Sequence, residues 1–383
     1  MPLFKNNKRC YTHNNKVTLV KGGSNYFSLL NKLIDKAEHS IFIRMYIWEA
    51  DNTGITIADY LTEASKRGVK VFIIADGYAS QHLSKAFLQN LTKSGIKFKF
   101  FEPLFKSTNF YFGRRMHEKV VVVDAKYALV GGINFADRYN DTDSKQGWLD
   151  FALLVEGDAA YDLYNYCFSE WKIEKITSPA LSAFDIEEKC SVRISINDWV
   201  KGKHQIWKTY FDLFNKARHS ITIICSYFLP GHILRYRLGV AAKRGIKIKI
   251  ILAGPCDIML AKHAERYLYP WMLKNGIEIY EYQPTVLHAK MIVVDNKWVT
   301  IGSFNINNVS SYASKELNLD VRNKPFAKTI QILMDSIIEK DCMQVTQNNY
   351  IIYSSLFKRF IQKTSYEIIR LILNLTTFYF KPK

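Results

Sequence analysis

The chain contains one unit written twice, which restricts it to architectures that tolerate an internal two-fold relation. The segment NKLIDKAEHSIFIRMYIW from Asn31 returns from Asn215 as NKARHSITIICSYFLP. In each, a short helical stretch ends in His-Ser and opens an apolar, β-branched run, which reads as helix then buried strand. EASKRGVKVFIIADG around Gly68 returns as VAAKRGIKIKIILAG around Gly245, and LTKSGIKFKFFEP around Gly95 returns as MLKNGIEIYEYQP around Gly276. These glycines read as helix C-termini feeding further strands. Such alternation predicts right-handed βαβ crossovers, a largely parallel sheet and an α/β fold with ligands near strand ends. At 383 residues, two domains fit better than one core. Residues 1–176 and 204–349 are the expected units, with a junction from Thr177 to Lys203 around Pro179 and a tail over 350–383.

The last repeated block carries the chemistry: MHEKVVVVDAKYALVGGINFADRY and LHAKMIVVDNKWVTIGSFNINNVS. His117, Lys119, Asp124, Gly131 and Asn134 recur at identical offsets as His288, Lys290, Asp295, Gly302 and Asn305. A lone His-x-Lys is usually a solvated strand end, whereas two copies sharing five positions point to catalysis. Because strand side chains alternate, His117 and Lys119 share a face while Glu118 projects from the other. The Gly131-Gly132 and Gly302-Ser303 turns are expected to bring backbone close to an anion and present Asn134, Asn305 and Ser303 to it. Asp124 and Asp295 complete the signature and are assigned with the catalytic residues, although carboxylates at strand ends read as readily as structural ion-pair partners of basic residues.

Imidazole, ammonium and amide converging on one point suit a phosphate. Two copies let one imidazole attack phosphorus while the other protonates the leaving oxygen, through a phosphohistidine and without a metal or cofactor. Each nucleophilic ring needs an acceptor for its far N–H. Glu316 is the candidate for His288; position 145 is Lys in the first copy, so Asp150 in GWLDF is the substitute for His117.

Lysine and arginine number 53 against 35 acids, a net charge of +18, so polyanions are the natural partners: nucleic acid or an anionic membrane surface. Cys10, Cys167, Cys190, Cys225, Cys256 and Cys342 stand singly, which predicts a reducing compartment and no structural metal. The basic opening is not followed by an apolar h-region, and no uncharged apolar run of about 18 residues occurs, so neither a signal peptide nor a spanning helix is expected.

The paired H-x-K-x4-D-x6-G-x2-N blocks resemble the phospholipase D superfamily, with its duplicated His-Lys-Asp signature. Together with GSNYFSLLNKLIDKAEHSIFIRMYIWEADNTG, WLDFALLVEG and YFLPGHILRYRLGVAAKRGIKIKIILAG, residues 17 to 340 are similar to bacterial cardiolipin synthases of the subgroup lacking N-terminal transmembrane helices. The resemblance implies two tandem phospholipase D-like α/β/α sandwich domains related by a pseudo-twofold axis. It also implies phosphatidyl transfer between two phosphatidylglycerol molecules, with His117 as nucleophile and His288 as acid and base, at the cytoplasmic face of the bacterial inner membrane. Arg44 stands where such sequences commonly have an acid, and Val309 where they commonly have an arginine. A nuclease of the same superfamily, a hydrolytic phospholipase D and a non-enzymatic membrane-binding protein are the rival readings. Nucleic acid is the less expected partner, and the oligomeric state is left open.

From Tyr350 onward six basic residues accompany one acid, with Leu356, Phe360, Ile361, Ile368, Leu371, Ile372 and Leu375 at roughly helical spacing. This suits either an interfacial helix or a C-terminal helix packed on the second unit.

Overall fold

A computed structural model of the chain describes residues 10–103, 114–142, 145–171, 189–307, 310, 314–353 and 355–377. The first unit comprises β1 (Thr12–Lys21), α1 (Ser24–Asp35), β2 (Ser40–Met45), α2 (Asn52–Lys66), β3 (Lys70–Asp76), α3 (Lys85–Lys93), β4 (Lys97–Phe101), β5 (Arg115–Met116), β6 (Val120–Val123), β7 (Tyr127–Gly131), β8 (Phe151–Gly157) and α4 (Asp158–Phe168). The second comprises β9 (Cys190–Asp198), β10 (Lys203–His204), α5 (Gln205–Lys216), β11 (Ser220–Cys225), α6 (His232–Lys243), β12 (Lys247–Ala253), α7 (Met259–Arg266), α8 (Tyr269–Lys274), β13 (Glu278–Tyr282), β14 (Lys290–Val294), β15 (Trp298–Gly302), β16 (Ser314–Arg322), α9 (Lys324–Asp341) and β17 (Cys342–Val345). Two further helices follow, α10 (Gln347–Tyr353) and α11 (Leu356–Thr377).

The repeated punctuation does what its chemistry dictates. Gly68, Gly95, Gly245 and Gly276 end α2, α3, α6 and α8 with φ of 93°, 92°, 83° and 69°, a conformation open to glycine at little cost.

The expected largely parallel sheet is corrected to a mixed one. Among the described strands, parallel pairing within the units joins β2–β3–β4 and β11–β12–β13. From the motif strand onward each chain reverses, giving the orders β4-β3-β2-β6-β7-β8-β1 and β13-β12-β11-β14-β15-β16-β9. The reason is local: Asp124-Ala125 (φ 53° and 54°) and Asp295-Asn296 (φ 52° and 48°) form tight reversals, which can join only antiparallel neighbours.

The expected boundary at residue 204 also moves. β9 pairs antiparallel with β16 as β1 pairs with β8, so the second unit begins at Cys190. Of the expected junction, 190–198 is therefore strand, while 177–188 lie outside the described residues. β1 also pairs with β9, and β5 with β16, so the two sheets are joined by backbone hydrogen bonds.

Strand alternation distributes the core. Ile41, Ile43, Val121 and Val123 face α1 and α2, and Ile292 and Val294 face α5 and α6. Phe42, Val120, Val122, Met291 and Val293 point the other way, into a core shared by both units and lined by α4 and α9.

Asp124 and Asp295 are structural, which corrects their assignment as catalytic residues. Five residues of extended chain separate each from its motif lysine, roughly 17 Å at about 3.3 Å per residue. Asp124 accepts the amide N–H groups of Glu38, His39 and Ser40 at 2.9, 2.8 and 2.8 Å, clamping the corner between α1 and β2. Asp295 does the same with Arg218, His219 and Ser220 at 2.9, 2.8 and 3.0 Å. Asp124→Ala should lower unfolding free energy by about 1.5–3 kcal/mol, the scale for hydrogen bonds to a charged group. Urea denaturation measures the loss, and specific activity of the folded variant should stay within twofold of the parent.

Candidate active site

His117 follows β5, whose parallel pairing with β16 sets Met116 opposite Lys315. The Met116 N–H is further anchored on Asp76 at 2.7 Å. The His117 backbone N–H donates to the Lys315 carbonyl at 2.9 Å, and its ring Nδ1 lies 2.9 Å from Glu316 Oε2. The second copy repeats this with the roles of the units exchanged. The His288 N–H donates to the Leu149 carbonyl at 2.8 Å, and its Nδ1 lies 2.6 Å from Asp150 Oδ2.

Each histidine thus takes its carboxylate from the opposite unit, the reverse of the assignment expected from sequence. The main-chain bonds make Glu316 and Asp150 equivalent, yet Glu316 follows His288 by 28 positions and Asp150 follows His117 by 33. Asp150 follows Gly131 by five more positions than Glu316 follows Gly302, a longer loop that hides the correspondence and leaves Lys145 at the repeat offset.

With Nδ1–H committed to a carboxylate, Nε2 of His117 carries the lone pair toward the site. Lys119 and Lys290 project from the same strand faces as the histidines, as alternation requires. Their ammonium groups fold back onto the carbonyls of His117 and His288, and Lys290 also sits 3.0 Å from His288 Nδ1. Burial pushes the His117 imidazole below its ordinary value, and Lys119 and Lys290 add to this against the Glu316 carboxylate. His288 is pushed well below by burial and then by both lysines. Burial lowers Lys119 and Lys290 as well, and raises Asp150 to about 7. Burial thus disfavours every charged form here, and a phosphate anion beside the lysines acts in the opposite direction on them.

Three expected ligand contacts are altered. Ser303 is buried and donates its hydroxyl to Glu316 Oε2 at 2.5 Å, the atom that also receives His117, so it orients the carboxylate rather than substrate. Asn134 accepts from the Ile47 N–H at 3.1 Å and donates to Tyr139 Oη at 2.8 Å, leaving one amide hydrogen for a phosphate. Asn305 Oδ1 accepts from Ser226 Oγ at 2.8 Å, which leaves its amide hydrogens as donors. Gly131 and Gly302 are required by strand packing rather than by an anion: a Cβ would lie 2.3 Å from the carbonyl oxygens of Phe151 and Leu317.

Sequence reasoning passed over the aromatic walls. Tyr46 lies edge-on to the His117 ring at 4.6 Å, beneath the Lys119 ammonium at 4.7 Å. Tyr139 and Trp148 lie 5.1 and 5.9 Å from the His288 ring. Tyr46 and Trp148 stand inside the conspicuous YIW and GWLDF strings, but nothing in their spacing ties them to a histidine.

Residues 30–169 and 210–338 each match the family described as "Cardiolipin synthase, PLD-like domain". The chain belongs to this family. It is 30% identical to the proteins named cardiolipin synthase B of Shigella flexneri and of Escherichia coli strain K12, over 89% of this chain and 84% of each relative. It is a phospholipase D-type enzyme by this membership. In fold it is similar to the phosphatidylserine synthase of Haemophilus influenzae, with a TM-score of 0.73 at 13% identity over 96% of both chains. A second similar structure is the polyphosphate kinase of Porphyromonas gingivalis, with a TM-score of 0.61 at 14% identity, covering 87% of this chain and 49% of that one.

Arg44 departs from the acid noted above as common in synthases of this type, and its setting explains how the site accommodates it. Arg44 is fully buried, with Nε 2.6 Å from Glu118 Oε2 and its guanidinium 5.2 Å from the Tyr166 ring centroid. Although burial alone would raise it, Arg44 holds the Glu118 carboxyl below its usual value. Lys315 joins the cluster through Glu170 at 2.8 Å. The neighbours of His117 and Glu316 in sequence, Glu118 and Lys315, are thus fixed behind the site by buried charge pairs.

The crossed pairing has a spectroscopic signature. Glu316→Gln should shift the imidazole nitrogen resonances of His117 and leave those of His288, whereas Asp150→Asn should do the reverse; turnover should fall by about 10²–10⁴-fold in each. Because the His117 shift is downward, its lone pair persists on acidification to below the ordinary histidine value of about 6.5. The acid limb of kcat/KM should lie correspondingly low in a pH–rate profile.

Proposed function

We propose that the protein is a cardiolipin synthase that transfers a phosphatidyl group between two phosphatidylglycerol molecules. His117 Nε2 attacks the donor phosphorus, the bond from phosphorus to the glycerol oxygen breaks, and that oxygen takes a proton from His288 Nε2. The products of this half-reaction are glycerol and a phosphatidyl-histidine at His117. A primary hydroxyl of a second phosphatidylglycerol then attacks phosphorus and gives its proton to His288, and the phosphorus–nitrogen bond breaks to release cardiolipin and regenerate His117. Lys119 and Lys290, with the remaining amide hydrogens of Asn134 and Asn305, stabilise charge on the non-bridging oxygens.

The observation that carries the reading is the crossed pair of imidazole–carboxylate contacts, one per unit, with a lysine beside each. The division of roles is supported by Asp150. With its carboxyl raised to about 7 and 2.6 Å from His288 Nδ1, the His288–Asp150 pair retains an extra proton near neutral pH. That proton occupies the Asp150–Nδ1 contact, so Nε2 carries hydrogen and donates. Phosphatidylglycerol as donor and acceptor rests on family membership over 89% of the chain.

The same reading makes the protein peripheral at the cytoplasmic face of the bacterial inner membrane. Its charge of +18 suits an anionic leaflet, and among the described residues no helix is long and apolar enough to cross a membrane. Incubation with phosphatidylglycerol vesicles, with and without chelator, should yield cardiolipin and glycerol equally in both. Phosphatidic acid alone would mark hydrolysis instead. His117→Ala and His288→Ala should each abolish product, and full activity in either would refute the two-imidazole mechanism.

A further inference from the structure

The C-terminal helix turns only part of its apolar surface inward. α11 meets the second unit, principally α7, through buried Gln362 and Ser365 and half-buried Tyr366 and Ile369, with the Gln362 amide oxygen 2.9 Å from Tyr350 Oη and the Tyr366 ring tilted at 4.8 Å from Tyr267. Its apolar arc points outward: Leu356, Phe357 and Phe360 are 85%, 72% and 67% exposed, and Ile368, Leu371 and Ile372 are exposed beyond them. The alternatives read from the sequence therefore coexist, since the helix is docked and still presents its apolar side.

Under the first turns of α11 lies a cleft of about 720 Å³ between α6, α8 and α10. Three cations, Arg235, Arg359 and Lys363, share its lining with Trp271, Leu268 and Phe360. Arg235 Nε is buried and has no hydrogen-bond partner among the described residues. Cations converging beside aromatic and aliphatic walls match a phosphodiester headgroup with the start of an acyl chain.

The position of the cleft relates it to catalysis. Arg235 sits in the first turn of α6, beyond the C-terminal end of β11, and Cys225 at that end pairs with Lys290 of the motif strand. Ile233 and Tyr236 of the same turns, and Ile258 and Met259 beyond the end of β12, are exposed at this end of the sheet too. The exposed residues that open α6 therefore lie at the sheet end that carries Lys290 and His288.

We propose that this face is the docking surface for an anionic bilayer, with the apolar arc of α11 in the headgroup–acyl boundary and the α6–α8–α11 cleft holding the phosphate of one lipid that is not the substrate. This goes beyond the catalytic reading and rests on it only for the facing of the site toward the bilayer. A bilayer fits better than a second protein chain because the exposed apolar arc is flanked by an excess of cations: Arg359 and Lys363 stand with Arg370, and the single acid, Glu367, is paired with Arg370 at 3.2 Å.

The test is flotation of the full chain with vesicles of phosphatidylglycerol and phosphatidylcholine. Arg359→Glu/Lys363→Glu should weaken binding to phosphatidylglycerol vesicles at least about 30-fold. Lys85→Glu/Lys93→Glu on α3 should bind as the parent does, and both variants should keep parental activity on detergent-dispersed phosphatidylglycerol. Unchanged binding by the α11 variant, or equal loss in the α3 variant, would overturn the proposal. Release of the parent from vesicles by soluble glycerol phosphate would mark a free-phosphate site and also overturn it, as would self-association abolished by Phe357→Ser/Phe360→Ser. Absence of activity in the detergent-dispersed parent would count against the catalytic reading while leaving the binding result to stand.

Discussion

Everything in the site depends on an exchange of carboxylates between the two units. A strand segment from one unit lies beside the motif of the other, takes the histidine backbone N–H on its carbonyl, and presents the next side chain to that histidine's ring. Backbone and side chain are fixed by one register, so the imidazole is oriented by the sheet itself rather than by a flexible loop. Neither unit contains a complete site. A duplicated chain whose copies merely sat side by side would have two histidines without acceptors, each free to choose either tautomer.

Burial of charge is the second constraint, and it works in the same direction. Lysines, histidines and carboxylates from both motifs share a space from which water is largely excluded, and desolvation drives them toward neutral forms. Burial thereby favours the neutral His117 imidazole and a proton shared by His288 and Asp150, which is the division of roles that the proposed mechanism uses. The asymmetry comes from small differences around a shared plan. A glutamate held by the Ser303 hydroxyl serves His117; an aspartate beside Gly132 serves His288. Behind His117, the Lys315–Glu170 pair ties the second unit to the first, beside the Arg44–Glu118 pair within the first unit.

The exposed arc of α11 follows a different logic. A helix that buries glutamine and serine while leaving phenylalanine and leucine in water is unfavourable in isolation, because apolar area in water costs roughly 25 cal/mol per Å². Docking of this arc on a bilayer, as proposed, would take that area out of water.

The sequence by itself determined the duplication, the alternation of helices and strands, and the pairing of histidine with lysine on one strand face, because these depend on periodicities of two and 3.6 residues that any stretch of chain displays locally. The glycine helix ends were legible for the same reason. It also contained both orienting carboxylates, but not their assignment: which histidine Glu316 or Asp150 meets depends on strands brought together from opposite halves, and a five-residue difference in one loop erased the repeat offset that would have revealed it. The roles of Asp124, Asp295 and Ser303 were likewise settled by tertiary structure. A carboxylate or hydroxyl beside a motif looks the same in sequence whether it faces a ligand or caps three backbone amides, and only packing decides which.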